Sequence, residues 1–519
     1  MALFRSFATV GGATLASRVL GFVREMLIAT LLGAGPVADA FYAAFSVPNL
    51  FRRFLAEGAF NSAFVPLFAK EYEQGGFDQA KQFATSVFSV LVAVLITLTA
   101  LLELFMPQVI DAIVPGFRSD DDKRALTIEA ARIMMPYLFC LSLVAMLSGV
   151  LNTFRKYFLA AFAPVLLNVI LIGVLLSCLW LGTGNSALTG RLLAWGVFAA
   201  GLAQLLLLMI GTRRAGFTMQ LKLPKLTPQV RELLILAAPT ALAAGIVQIN
   251  LFVGRIIASP VDGAIATLTL ADRIYQLPLG VVGIAIGVVL LPELSRALKA
   301  DDQNRAAETQ NRSLEFGLFL TLPAAAALAI IPEPIIRVLY EHGAFTSEDT
   351  LRTAQVLAAF ALGLPSFVLI KIFSPGYFAR EDTRTPMVFA GVGAIVNIAL
   401  SLLLFPTMGV VGIALATTIA GWVNALCLYA VLQWKGHWTF DRGFVQRAPL
   451  IVVSCVVMSA ALVALYWAFE RWTLEEAGLP FHITALVLLV SGGGLAYLAA
   501  SIVTGAADRA ALRRALKRT

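Results

Sequence analysis

The sequence predicts an all-α polytopic membrane protein. Three observations carry that reading. Hydrophobic residues make up 59% of the chain and charged residues 13%. Apolar runs recur from end to end, among them 87–102, 165–181, 192–210 and 484–503. Lysine and arginine collect in alternate connections between such runs. Soluble domains carry about 25% charged residues, so this composition cannot clothe a water-facing surface. The runs match the roughly 20 residues that a helix needs to cross the hydrocarbon core. A porin-like barrel is excluded, because its spans would be about 10 residues of strict alternation.

Charge clusters, prolines and glycines divide the chain into about fourteen spans of bilayer length. The first, 6–30, follows a single early base, Arg5, and is interrupted by Arg18. It lacks a small-residue cleavage site after a clean apolar core, so it reads as a retained span and not a signal peptide. The second, 37–66, follows the Gly-Ala-Gly-Pro stretch and holds several charges. Next come 80–106, after Lys70 and the neighbouring acids, and 126–151, after the acidic run at 120–122. Spans 159–182 and 189–211 flank a Gly-Thr-Gly turn, and a basic linker at 212–229 precedes 230–258. Span 263–291 follows Ser-Pro-Val-Asp-Gly, and 311–332 follows the charged stretch ending at Arg312. The remaining spans are 350–374, 385–405, 409–434, 448–469 and 483–504.

Bases mark the cytoplasmic side of a membrane protein. Here they gather at Lys70 and Lys81; Arg155 and Lys156; Arg213, Arg214, Lys222, Lys225 and Arg231; Arg296, Lys299, Arg305 and Arg312; Arg380 and Arg384; and Lys435, Arg442 and Arg447. The opposite connections 31–38, 259–262 and 406–408 have none, and acids offset those in 107–124 and 333–350. Both termini are therefore expected in the cytoplasm, with the basic tail 505–519 either on the anionic membrane surface or a solvated helix. This distribution accounts for the net charge of +8 without nucleic acid.

The chain also resembles itself. MMPYLF around Pro136 pairs with GLPSFV around Pro365, and VPGFRSDD (114–121) with EHGAFTSED (341–349). Pro66 pairs with Pro292, and Pro164 with Pro386. The common offset corresponds to six spans, an even number, so the repeats keep one orientation, the parallel arrangement of some transporters. The expected organisation is an N-terminal lobe (1–211), a cytoplasmic linker (212–229) and a C-terminal lobe (230–434). Spans 13 and 14 (435–504) and the tail (505–519) follow. The two lobes would surround a central cavity.

Charges inside spans are the informative feature, because an ionisable group at the bilayer centre costs roughly 2.5–3.5 kcal/mol on insertion scales. Glu103, Arg132, Glu315 and Lys371 lie near span ends, where long side chains snorkel. Arg18, Arg24, Arg52 and Arg53 lie deeper, with Glu25, Asp39 and Glu57. Arg53 and Glu57 are four residues apart and share a helix face, so they can neutralise each other. Arg273 and its neighbour Asp272 add charges in the eighth span. Arg52 heads a stripe of Ala56, Ala59 and Ala63, which either packs closely on another helix or lines a cavity. Arginine is always charged and grips phosphate oxygens in pairs. Several arginines in one partly dry cavity suit a diphosphate better than a proton.

No covalent chemistry or cofactor is indicated. There is no Gly-Lys dipeptide and so no P-loop for ATP. His342, His437 and His482 lack metal-ligand spacing. Cys140, Cys178, Cys427 and Cys455 are scattered among apolar residues and read as core residues. Asn311-Arg312-Ser313 matches a glycosylation acceptor but falls on the expected cytoplasmic side.

SRVLGFVRE (17–25), GAGPVADAFYAAFSVPNLFRRFLAEGAFNSAFVP (33–66), LADRIYQLPLGVVGIAIGVVLLPELS (270–295) and SPGYFAREDTRTP (374–386) resemble the MurJ (MviN) lipid II flippases. These belong to the multidrug/oligosaccharidyl-lipid/polysaccharide exporter superfamily. The resemblance covers nearly the whole chain. It implies an inner-membrane flippase, not an enzyme, that moves the undecaprenyl-diphosphate-linked peptidoglycan precursor lipid II to the periplasmic leaflet. It also implies that Arg24, Arg52 and Arg273 hold the diphosphate with Arg18 beside them. Asp39 and Glu57, with Glu25, Arg53 and Asp272, would order or gate the cavity. Spans 13 and 14 would offer a groove for the polyprenyl tail.

The expected partners are lipid II, membrane lipids and the cell-wall synthesis machinery, with the chain a monomer. Arg255 matches no shared family role. A sodium site lacks an acid in the seventh span, and Asp382 is the one acidic candidate near span 11. The alternatives are an exporter of another polyprenyl-linked glycan, a cation-coupled multidrug exporter of the same superfamily, and a membrane scaffold.

Overall fold

The computed structural model describes residues 2–52, 60–473 and 477–507. Arg53, Glu57, Ala56, Ala59 and most of the basic tail lie outside the described residues. Among the described residues there is no strand. The elements are α1 (Ala2–Leu32), α2 (Pro36–Arg52), α3 (Asn61–Leu104), α4 (Met106–Ile113), a 3-10 turn (Pro115–Ser119), α5 (Asp121–Met134), α6 (Pro136–Thr153), α7 (Tyr157–Leu181) and α8 (Ala187–Arg214). They continue with α9 (Pro228–Ala258), α10 (Ala264–Lys299), α11 (Gln303–Ile330), α12 (Pro332–Tyr340), α13 (Ser347–Ala361) and α14 (Leu364–Phe378). The last are α15 (Arg384–Met408), α16 (Val410–Trp434), α17 (Arg442–Ala468), α18 (Glu470–Thr473) and α19 (Leu479–Thr504).

Ten helical stretches among the described residues are long and apolar enough to cross a bilayer. The other expected spans fall on α1, α2, α9 and α10. The protein is a polytopic helical membrane protein.

Three local expectations change. The break expected between the second and third spans, at 67–79, is a kink and not a loop: α3 is two helices joined at Gly76, at φ 71 and ψ −165, the first of them containing Pro66. The stretch Lys-Glu-Tyr-Glu-Gln before it is made largely of good helix formers, and glycine takes positive φ without a steric penalty. Second, the stretches expected as single spans at 126–151 and 350–374 each consist of two helices. They divide at Pro136 and at Gly363–Pro365, where a proline in the first turn starts the second helix. Third, the expected loops contain short helices, α4 and α12, each with proline in its first turn. The internal repeat reappears in this order of elements: α4, α5, α6 and α7 begin at 106, 121, 136 and 157, and α12 to α15 at 332, 347, 364 and 384.

The chain forms two compact units, Met1–Ala266 with His342–Phe345, and Thr267–Glu341 with Thr346–Thr519. In the first, α9 packs on α3 and α4. Its core includes the stacked rings of Phe60, Phe64, Phe68 and Phe83, closed by Phe217 edge-on to Phe68. In the second, α11 packs on α14 and α17, and α17 on α19. Gly493 lets α19 approach α17 closely: a Cβ there would come within 2.9 Å of Leu462. Small residues serve this purpose in membrane helix pairs. The outer faces of α17 and α19 expose Val452, Val456, Val487 and Leu495, as lipid-facing helices do.

Candidate functional site

In α1, Arg24 and Glu25 are both buried, 6% and 1% exposed. A buried charge is tolerated only when it is paired and hydrogen-bonded, and here both conditions hold. Arg24 Nη2 donates to Glu25 Oε1 at 2.5 Å. Glu25 Oε2 accepts from the Tyr42 hydroxyl of α2 at 2.7 Å. Arg24 Nη1 donates to Asn168 Oδ1 of α7 at 2.9 Å. Asn168 is held in turn, since its Nδ2 donates to the Ser17 carbonyl at 2.9 Å. It lies beside Gly21, at ordinary van der Waals distance from where a Cβ would stand. One guanidinium donor, Arg24 Nε, is buried without an acceptor among the described residues.

Arg52 is the last described residue of α2. Its Nε donates to Asn49 Oδ1 at 3.1 Å, while Asn49 Nδ2 donates to the Phe45 carbonyl. Arg18 lies on α1 but is exposed, six residues from Arg24 and so about 120° around the helix. Of the alanine stripe, Ala63 is described and is buried.

Asp39 forms a second cluster, at the end of the first unit that holds the base-poor loops. It is fully buried. Its Oδ2 accepts from Lys123 Nζ at 2.9 Å and from the Gly263 amide at 2.8 Å. Its Oδ1 accepts from the Ala266 amide at 2.8 Å. Asp39 therefore caps the first turn of α10 from another helix, where a carboxylate meets the positive end of the helix dipole. Gly263 has φ +74, and a Cβ there would collide with the Ala34 carbonyl. Nearby backbone contacts tie the same region together: the Ala344 amide donates to the Thr30 carbonyl at 2.8 Å, and the Gly116 amide to Ser259 Oγ at 2.9 Å.

In the second unit, Arg273 is exposed on α10. Its neighbour Asp272 accepts from Gln276, one turn further along the same helix. Lys371 of α14 lies over Gly283 of α10. Glu315 pairs with Arg447 at 2.9 Å. In the first unit, the Arg255 guanidinium sits over the Phe252 ring, 5.3 Å from its centroid. Asp382 caps α15 through Thr385 and pairs with Lys435 at 3.2 Å. All four cysteines are free thiols.

Sequence reasoning missed Lys123, its second partner Asp262 at 2.8 Å, Tyr42 and Asn168. Asn168 had a signal, as a lone amide inside the apolar run VLLNVIL. Lys123 had little, because the run SDDDKR reads as a solvated, charge-balanced loop.

The sequence profile described as "Lipid II flippase MurJ" matches residues 28–485. A protein of Rhizobium meliloti (strain 1021), "Probable lipid II flippase MurJ", is 52% identical over all of this chain and 97% of its own length. "Lipid II flippase MurJ" of Burkholderia cenocepacia is 34% identical over 89% of this chain and 90% of its own. A solved structure, "Lipid II flippase MurJ, inward closed conformation", superposes with a TM-score of 0.78 at 27% identity, covering 95% of this chain and 98% of that one. An inward-facing multidrug resistance MATE transporter shares the fold at a TM-score of 0.66 and 14% identity, covering 81% of this chain and 95% of its own.

Proposed function

The chain belongs to the lipid II flippase MurJ family, and from that premise we propose that it carries lipid II across the bacterial inner membrane. The cargo passes from the cytoplasmic to the periplasmic leaflet by alternating access of two lobes. Arg24, Arg52 and Arg273 bind the diphosphate, with Arg18 beside them, and Asp39 and Glu25 order or gate the path. Both termini face the cytoplasm, and α17 and α19 receive the polyprenyl tail.

The observation that carries this reading is the uncommitted Nε of Arg24, a buried guanidinium donor without an acceptor among the described residues. A buried donor without an acceptor costs roughly 1–3 kcal/mol, and a phosphate oxygen would remove that penalty. Charge-assisted bonds between arginine and phosphate are also about twice as strong as neutral ones. No covalent bond changes, so the energy comes from a gradient, the membrane potential or the downhill flow of cargo.

A multidrug exporter for cationic drugs would need available acids. Glu25 and Asp39 are each bound to a cation instead, which favours an anionic cargo.

The test is leaflet-resolved labelling of lipid II while the chain is depleted. Lipid II should accumulate on the inner leaflet. An unchanged distribution would point to a scaffold.

A further inference from the structure

Lys123 lies in the first turn of α5 with its side chain 2% exposed. Taking an ammonium out of water costs several kcal/mol unless its partners are well placed. Here its Nζ bonds Asp39 Oδ2 at 2.9 Å and Asp262 Oδ1 at 2.8 Å, and it stands 4.1 Å from the centre of the Phe117 ring. One cation thus joins three pieces of backbone: α2, α5 and the turn that leads into α10.

The two legs differ. The Asp39 leg is dry, with both side chains buried, whereas the Asp262 side chain is 67% exposed. Asp39 also receives the Gly263 and Ala266 amides, so it holds the first turn of α10 while its side chain stays in place, and the ammonium keeps it there. Asp262 offers the same ammonium a second carboxylate that water can reach, and hence a route away from Asp39. A permanent staple would need no such route.

We infer that Lys123 is a positioning residue of a latch. Its ammonium fixes Asp39 over the start of α10, and its transfer toward Asp262 releases that turn during transport. The inference rests on the alternating-access reading above.

The experiment is amide hydrogen exchange at Gly263 and Ala266 on the full chain in lipid nanodiscs without lipid II, paired with leaflet-resolved lipid II labelling in cells. Lys123→Met should speed exchange at both amides at least tenfold and depress transport, with the chain still folded. Asp262→Asn, at an exposed position, should slow exchange at the same amides by removing the competing carboxylate. The double variant Asp39→Asn/Lys123→Met, which leaves no buried charge, should exchange more slowly than Lys123→Met alone.

Unchanged exchange in Lys123→Met would overturn the latch. So would faster exchange in both single variants, which a plain staple predicts. Faster exchange in Lys123→Met with wild-type transport would also overturn it as a step of the cycle. If depletion of the wild-type chain leaves lipid II unmoved, the flippase reading fails while the exchange result still stands.

Discussion

Arg24 Nη1 and Asn168 Oδ1 meet at 2.9 Å, a buried contact between α1 and α7. The same amide holds the Ser17 carbonyl, so Asn168 fixes the guanidinium relative to its own helix. Asn168→Leu should leave the buried Arg24 donor unsatisfied and cost about 1–3 kcal/mol. Thermal unfolding of the purified chain reads the loss, and transport should fall further than stability alone explains. A wild-type melting temperature in Asn168→Leu would remove the positioning role.

Glu25 has two partners with different weights. Tyr42→Phe removes one neutral donor and should cost roughly 0.5–1.5 kcal/mol. Glu25→Gln leaves Arg24 buried without its counter-charge, which is the costlier kind of break, about 3–5 kcal/mol. The melting temperatures should therefore fall in the order wild type, Tyr42→Phe, Glu25→Gln. A reversed order would show that the Glu25–Arg24 pair is not what keeps the guanidinium buried.

Asp111 in α4, outside the spans, gives a pH dependence with a defined sign. Hydrogen bonds from Arg124, at 2.7 and 3.0 Å, with the charges of Arg124 and Arg118, hold its carboxyl below the ordinary value of 3.8. A depressed folded value means stability that is fully present above that ordinary value and lost as pH falls through the folded one. Below about pH 4 the wild type should lose melting temperature more steeply than Asp111→Asn. Parallel curves would contradict the pairing.

Gly263 takes φ +74 beside the Ala34 carbonyl. Gly263→Ala would force a side chain into the left-handed region, at roughly 1–2 kcal/mol, and add a backbone clash. It should destabilise the turn that Asp39 caps, and hydrogen exchange at Ala266 should accelerate. Unaltered exchange would mean that this turn has more freedom than its geometry implies.

Much of the architecture was legible because bilayer-length apolar runs and base-rich connections leave strong marks on composition. The proline-marked repeat was legible too, since Pro136 and Pro365 each begin the second helix of a broken span. The kink of α3 was legible as a break at Gly-Gly, 75–76, although its flanks are helix formers. In the candidate site, Arg24, Glu25, Arg52 and Asp39 stood out as charges in apolar surroundings. Their partners did not. Two donors to Asp39 are backbone amides, which carry no side-chain signature. A third, Lys123, is brought to it by the packing of α5 on α2, which no local pattern announces.

Arginine and lysine differ at a site of this kind, because only the guanidinium offers paired, planar donors. Arg24→Lys and Arg52→Lys should keep the charge and the fold yet restore transport poorly. Full complementation by either would argue for a simple positive field in place of paired contacts.

The most direct test of the central claim is leaflet-resolved lipid II labelling in cells whose only copy of the chain carries Arg52→Ala. The account predicts normal amounts of folded chain in the membrane, lipid II retained on the inner leaflet and loss of growth. Outward lipid II at the wild-type level, with normal growth, would contradict it.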